Sequence, residues 1–295
     1  MQEAGKVDLT NVSSGFYVTH ASYAGSGLTL SESIYPAGLK MSSHLHEPSY
    51  LSLVLKGAYT ETFGKGALTC GPSTMIFHPP NEKHAVDFHN SEVRIFRIEV
   101  GSRWLERTRD CGALPERSMD FHGGFLSSLC TRLYGEFHLS DGCSVLAIEG
   151  LMLEIIAEIS RGHTRKLDRN VPSWLELARE ILRENASEPP SLEALAGTVG
   201  VHPVYLARQF RLRYHCTIGE YLRQLRIETA CREISEAQAP LSVIAANAGF
   251  YDQSHFANTF KRYTGMTPTQ YRAITRFGSD PAKSLRRRPV RSRQG

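Results

Sequence analysis

The sequence predicts a two-domain α+β protein, with an N-terminal β-barrel carrying flanking helices and an all-α C-terminal half built on two helix-turn-helix units. Three observations predict it. Apolar residues follow the pattern of short strands between residues 15 and 100, change to a helical period from about 121, and stay helical from Pro172 to about 276. The length of 295 residues is roughly twice a common domain size. Charge is also divided by sign: residues 1–170 hold 16 basic and 19 acidic side chains, residues 171–295 hold 18 and 11. The helical half is therefore the candidate for a polyanion. Six of its bases (Lys283, Arg286, Arg287, Arg288, Arg291 and Arg293) lie with Asp280 in residues 277–295. Without that tail the half is close to neutral, so charge alone does not decide the partner.

In the first half, Leu51-Ser52-Leu53-Val54-Leu55 runs into Lys56-Gly57, and Ala58-Tyr59-Thr60-Glu61-Thr62-Phe63 runs into Gly64. Ser73-Thr74-Met75-Ile76-Phe77 precedes Pro79-Pro80, and Val93 to Val100 alternates as a half-buried strand does. Short strands at this spacing predict a small barrel or jelly roll. Phe125, Leu129, Leu133 and Phe137 then recur every four residues, followed by Val145, Ile148, Met152, Ile155, Ile156 and Ile159 at helical spacing. These helices carry apolar residues on more than one face (Leu126, Leu129 and Leu133, then Leu146, Leu153 and Ile156), which predicts burial on several sides. The polar stretch 162–172 reads as a linker and hinge, its polarity and Gly162 arguing against a packed interface. The expected division is a β domain with flanking helices over 10–161, the linker 162–172, an all-α domain over 173–276, and a disordered basic tail over 277–295.

Several classes are excluded. No run approaches the roughly 18 apolar residues of a membrane span, and the N-terminus lacks the apolar core of a signal peptide. The six cysteines are scattered without a C-x-x-C pair, which predicts reduced thiols and a cytoplasmic protein. Neither G-x-G-x-x-G nor G-x-x-x-x-G-K-[ST] occurs, nor a G-x-S-x-G elbow, nor H-E-x-x-H.

The helical half repeats one design. Ser191 follows Pro189-Pro190 as an N-cap, and Leu192, Leu195, Ala196 and Val199 form an apolar face. Gly200 supplies the left-handed turn, and Pro203 suits the first turn of the next helix. Leu206 and Phe210 of that helix face inward, leaving Val204, Ala207, Arg208 and Arg211 outside. Gly249 makes the corresponding turn 49 residues later, after Leu241, Ile244, Ala245 and Ala248. Asp252 then caps a helix that turns Phe256, Phe260 and Tyr263 inward and Gln253, Ser254, Asn258 and Lys261 outward. Residues 219–235 between the units read as one helix of about 25 Å at 1.5 Å per residue. Such a rod holds two recognition helices on the scale of one DNA turn, roughly 34 Å.

Ile244-Ala245, Ala248-Gly249-Phe250, Ser254-His255-Phe256, Phe260-Lys261, Gly265, Thr267-Pro268 and Tyr271-Arg272 resemble the signature of the AraC/XylS family of bacterial transcription regulators. Arg226 and Ala230-Cys231 fit it too, and the likeness covers residues 173–276. It implies double-stranded DNA as a partner, with contacts from Val204, Ala207, Arg208, Arg211, Gln253, Ser254, Asn258 and Lys261. Many relatives place Ser at the first recognition-helix cap, where this chain has His202, and a larger side chain where it has Ala207. The resemblance further implies RNA polymerase as a partner, a small-molecule effector bound by the N-terminal domain, and a homodimer through residues 121–161.

Gly38, His44-Leu45-His46, Gly57, Gly71-Pro72 and Pro79-Pro80-Asn81-Glu82-Lys83-His84 resemble the two motifs of cupins. That likeness implies a cupin-like barrel in which His44, His46 and His84 hold a metal, as three-histidine zinc sites do. The cupin glutamate position is Tyr50 here, and Glu47 points to the opposite strand face. The open alternative is that these histidines line an effector pocket with Tyr50, walled by Phe77 or Phe96, with no cofactor. His78, before Pro79, is expected in a surface or loop role. A regulator needs only binding, whereas a cupin enzyme fused to a DNA-binding domain would want the carboxylate that Tyr50 replaces. The expectation is therefore a non-enzymatic regulator, with a metal-dependent enzyme or metal sensor as the alternative.

Overall fold

The structure, a computed structural model, describes residues 7–8, 12–13, 18–25, 27–64, 66–108, 114–122, 124–139, 141–167, 171–214 and 216–277. The basic tail beyond Phe277 lies outside them. Twelve strands come first: β1 (Val7–Asp8), β2 (Val12–Ser13), β3 (Val18–Gly25), β4 (Leu28–Tyr35), β5 (Lys40–His44), β6 (Ser49–Lys56), β7 (Tyr59–Phe63), β8 (Gly66–Cys70), β9 (Thr74–His78), β10 (His84–Phe88), β11 (Val93–Val100) and, after helix α1 (Ser102–Thr108), β12 (Met119–His122). They form an antiparallel sheet in the order β1-β3-β4-β11-β6-β9-β12, with β2 on β3, and a smaller antiparallel sheet in the order β5-β10-β7-β8.

The pleat explains how one sheet serves two cores. Tyr35, Val54, Tyr59, Ile76, Val86, Phe88 and Ile95 pack between the two sheets. Leu30, Leu51, Leu53, Met75, Phe77, Phe96 and Ile98, one residue out of phase, face the helices instead. β11 is therefore buried on both faces, not half-buried as its alternation predicts, because the small sheet covers one side and helices cover the other.

Helices α2 (Gly124–Leu139) and α3 (Ser144–Leu167) lie on that outer face. Leu126, Leu129, Leu133 and Ile156 are spent there, leaving Leu146 and Leu153 exposed. α3 continues through residues 162–167, which composition assigns to the linker. The remaining helices are α4 (Ser173–Glu184), α5 (Leu192–Thr198), α6 (Pro203–Tyr214), α7 (Ile218–Glu236), α8 (Leu241–Asn247), α9 (Gln253–Thr264) and α10 (Pro268–Phe277).

The expected absence of a packed interface is corrected. The outer core of the large sheet is continuous with that of the second helix-turn-helix unit, through Ile227, Ile234, Ile244, Phe256, Phe260, Met266 and Tyr271. Ser128 of α2 donates to the Tyr263 carbonyl at 3.0 Å. A Cβ on Gly135 would lie 2.8 Å from the Met266 side chain. Arg94 of β11 spends all three guanidinium nitrogens across the same region, on Glu32 and on the Thr275 and Ile274 carbonyls ending α10. Glu32 in turn accepts from Tyr134 at 3.1 Å and pairs with His138 at 3.0 Å. Packing between the halves is decided by residues far from the polar stretch in sequence.

Candidate nucleic-acid interface and barrel pocket

Each helix-turn-helix unit is fixed by a cap, a left-handed glycine and an apolar pair. In the first, Ser191 accepts the Ala194 N–H at 3.1 Å, and Gly200 sits at φ 73°. Leu206 and Phe210 of α6 are fully buried against Leu195, Ala196 and Leu225. His202 stands in for the usual serine: its Nδ1 accepts the Val204 N–H at 3.3 Å. Burying one face of α6 leaves Val204, Arg208 and Arg211 exposed, while Ala207 is half-buried.

In the second unit Gly249 sits at φ 79°, and Asp252 accepts the His255 N–H at 2.7 Å. Phe256 and Phe260 are fully buried. Gln253, Ser254, Asn258 and Lys261 are all exposed on the outer face of α9. Tyr251, which spacing alone did not single out, is 96% exposed in the turn that leads into α9. An aromatic standing free beside a glycine turn is the signal that could have found it.

The two units are held by α7, 19 residues long and so about 28 Å at 1.5 Å per residue. Thr217 and Glu220 close a capping box at its start. Arg226 clamps it to the first unit through the Ala186 and Ser187 carbonyls at 2.8 and 3.1 Å. The result is a scaffold with two exposed outer faces, which carry Arg208 and Arg211 on α6 and Gln253, Ser254, Asn258 and Lys261 on α9.

The barrel brings His44, His46 and His84 together, with one ligating nitrogen of each within 4.8 Å of the others. His44 is opposite His84 in the β5–β10 register. His44 Nδ1 donates to the Ser42 carbonyl at 2.8 Å and His84 Nδ1 to the Glu82 carbonyl at 3.2 Å. Both tautomers therefore leave Nε2 unprotonated. His46 Nε2 is buried without a hydrogen-bond partner. The Tyr50 hydroxyl reaches His84 Nε2 at 3.2 Å.

Phe77 and Phe96 do not wall this pocket. They lie on the helix side of the sheet, and the apolar wall is Tyr35, Met41, Tyr59, Val86, Phe88 and Ile95. His78 is not a surface residue either: it is 2% exposed and stacks on Tyr50 at 4.1 Å. A carboxylate is present after all. Glu61 of β7, 2% exposed, lies 3.6 Å from His84 and 3.7 Å from His78. Its alternation with the inward Tyr59 was the available signal. Arg97 of β11 sits 4.5 Å over the Tyr50 ring.

Burial sets the protonation states here. It lowers His46 to about 3, helped by Arg97 and the neighbouring imidazoles. Burial also depresses His78 and His84. Glu61 is pushed up to about 8 by burial, against the pull of Arg97. Burial thus favours the neutral forms of His46, His78, His84 and Glu61, and neutral imidazole is the form that ligates a metal. Its cavity is about 30 Å³, about the volume one water occupies in the liquid.

Residues 195–274 match the model of a family described as a helix-turn-helix domain. The chain is 30% identical to the regulatory protein SoxS of Escherichia coli (strain K12) over 108 residues, which are 37% of this chain and 94% of that protein. It is 25% identical to the HTH-type transcriptional activator RhaR of Cronobacter sakazakii over 253 residues, 81% of this chain and 88% of that one. Among solved structures, the C-terminal domain of AraT, a response regulator from Geobacillus stearothermophilus, is 26% identical. It covers 36% of this chain and 88% of its own, with a TM-score of 0.34.

Proposed function

Because the chain belongs to the AraC/XylS family of transcription regulators, we propose that it binds duplex DNA at specific sequences through α6 and α9 and regulates transcription under the control of its N-terminal domain. The observation that carries this is the pair of exposed outer faces, Arg208 with Arg211 and Gln253 with Asn258, on two units joined by one helix. Arg208 has the donor fork that reads guanine, and Gln253 and Asn258 match adenine edges. Arg208→Ala is expected to cost about 1–3 kcal/mol at the cognate site and to relax its sequence preference. Unchanged affinity and preference in a binding-site selection would remove α6 from recognition.

The N-terminal domain is the sensor in this reading, and the exposed Leu146 and Leu153 of α3 are where a second copy docks to form the homodimer. The small barrel cavity favours a compact effector, and two features favour a metal ion in particular: the Nε2 tautomers preset by backbone carbonyls and the orphaned His46 nitrogen. His44, His46 and His84 would hold such an ion, which would bridge the already paired β5 and β10 to the turn that follows β5. The presence of Glu61 removes the missing-carboxylate argument against an enzyme; family membership is what favours a binding role. The chain dialysed against zinc is expected to retain one ion per molecule and to lose it on His84→Ala, with operator affinity changing in step. Absence of retained metal, or operator affinity indifferent to chelation, overturns the metal-sensor reading and leaves the DNA-binding one intact.

A further inference from the structure

Val204 stands apart from the other residues on the outer faces of α6 and α9. It is the second residue of α6, as Ser254 is the second of α9, and it is 70% exposed. Arg208 and Asn258 are likewise the sixth residues of the two helices. The first unit therefore presents an apolar group and a guanidinium where the second presents a hydroxyl and an amide.

The N-terminal residues of a recognition helix are the ones that meet base edges. The Val204 side chain brings no donor or acceptor there, and a valine in a helix keeps one preferred rotamer. Its own N–H is committed to His202 Nδ1 at 3.3 Å. In the major groove the complement of a fixed apolar surface is the C5-methyl of thymine, the purine edges and the cytosine amine being polar. 5-Methylcytosine carries the same methyl on the same carbon.

Arg208 lies four residues further on the same face, about 6 Å along the helix at 1.5 Å per residue. That is less than two base steps of roughly 3.4 Å. A helical side chain also leans over the turn N-terminal to its own Cα, so the guanidinium reaches back toward the pair that Val204 meets. Ala207 between them is half-buried and has no atom beyond Cβ to fill the space.

We propose that α6 reads a methylated pyrimidine, thymine or 5-methylcytosine, in a base pair adjacent to the guanine taken by Arg208. The methyl lies against Val204 and Ala207, so affinity depends on that one group and responds to cytosine methylation at the site. This rests on the DNA-binding reading above and narrows the sequence that the first unit accepts.

Binding of the chain to duplexes carrying its selected site tests this. Arg208→Ala first identifies the guanine, as the position whose preference it loses. Thymine beside that guanine is then replaced by uracil, which removes only the methyl. In a second pair of duplexes the same position carries cytosine or 5-methylcytosine. Within each pair the methyl is expected to tighten binding about fourfold, or about 0.8 kcal/mol. Val204→Ser, at an exposed position, is expected to bind the two members of each pair equally. The uracil comparison uses the parent chain, so it decides the matter even if that variant does not fold. Equal affinity for thymine and uracil, a methyl effect that survives Val204→Ser, or selected sites with no thymine beside the guanine each overturns the proposal and leaves DNA binding intact. Selection that enriches no sequence, or unchanged preference in Arg208→Ala, overturns the reading of α6 itself and this proposal with it.

Discussion

Arg94 and Glu32 form the buried pair on which the docked arrangement turns. Glu32 is 1% exposed and Arg94 4%, and the guanidinium that neutralises Glu32 also caps the end of α10. Removing one partner leaves an uncompensated buried charge, so Arg94→Met is expected to destabilise the protein by about 3–5 kcal/mol. Arg94→Met with Glu32→Gln is expected to cost less, which a denaturation cycle on the full chain would read. Burial pushes the Glu32 carboxyl up, yet Arg94 and His138 outweigh it and hold it below the ordinary 4.5. A depressed carboxyl stabilises the folded state above its unfolded value, and that contribution is lost as pH falls through the folded one. Melting temperature should therefore fall more steeply below pH 4.5 in the parent protein than in Glu32→Gln. Parallel curves would mean that Glu32 does not titrate with unfolding. In sequence, Arg94 reads as an ordinary polar position on an alternating strand. Its partners lie 62 and about 180 residues away, so local pattern carried no sign of them.

At the scale of elements, the two turn glycines differ in a way that only packing reveals. Both have positive φ, so alanine costs about 1–2 kcal/mol at either from backbone conformation. A Cβ at Gly200 would meet nothing within 4 Å, whereas at Gly249 it would lie 2.5 Å from the Ser187 carbonyl oxygen, which Arg226 also binds. Gly249→Ala is therefore expected to destabilise clearly more than Gly200→Ala in urea, and equal losses would argue against the close approach of the two units. The helix-turn-helix elements were legible because their determinants are local: caps at Ser191 and Asp252, glycines at the turns, and apolar pairs four residues apart. The strands were legible too, but not which face was which. With both faces of β9 and β11 buried, Phe77 and Phe96 gave no sign that they pointed to the helices. The same two-residue period that sends them there turns Tyr50, His78 and Arg97 into the barrel pocket. The three histidines were found through a motif; Glu61 was hidden among polar neighbours.

Across the whole molecule, β11 joins the two ends of the regulator. Arg97 faces the barrel pocket and Arg94, three residues earlier on the opposite face, holds α10. A rearrangement at the pocket is thus one strand away from the second recognition unit, and a change in docking would alter how α6 and α9 meet DNA together. For such coupling to regulate, the two arrangements must differ in DNA affinity, by factors of about 5–150 in typical cases. The central claim beneath this is that two units on one rod read two stretches of duplex. Footprinting of the chain on its selected binding sites, with Arg208→Ala and Asn258→Ala in parallel, checks this. Two protected stretches about one helical turn, roughly 34 Å, apart are expected, with sequence preference lost in one stretch for Arg208→Ala and in the other for Asn258→Ala. A single protected stretch, or loss in the same stretch for both variants, would contradict it.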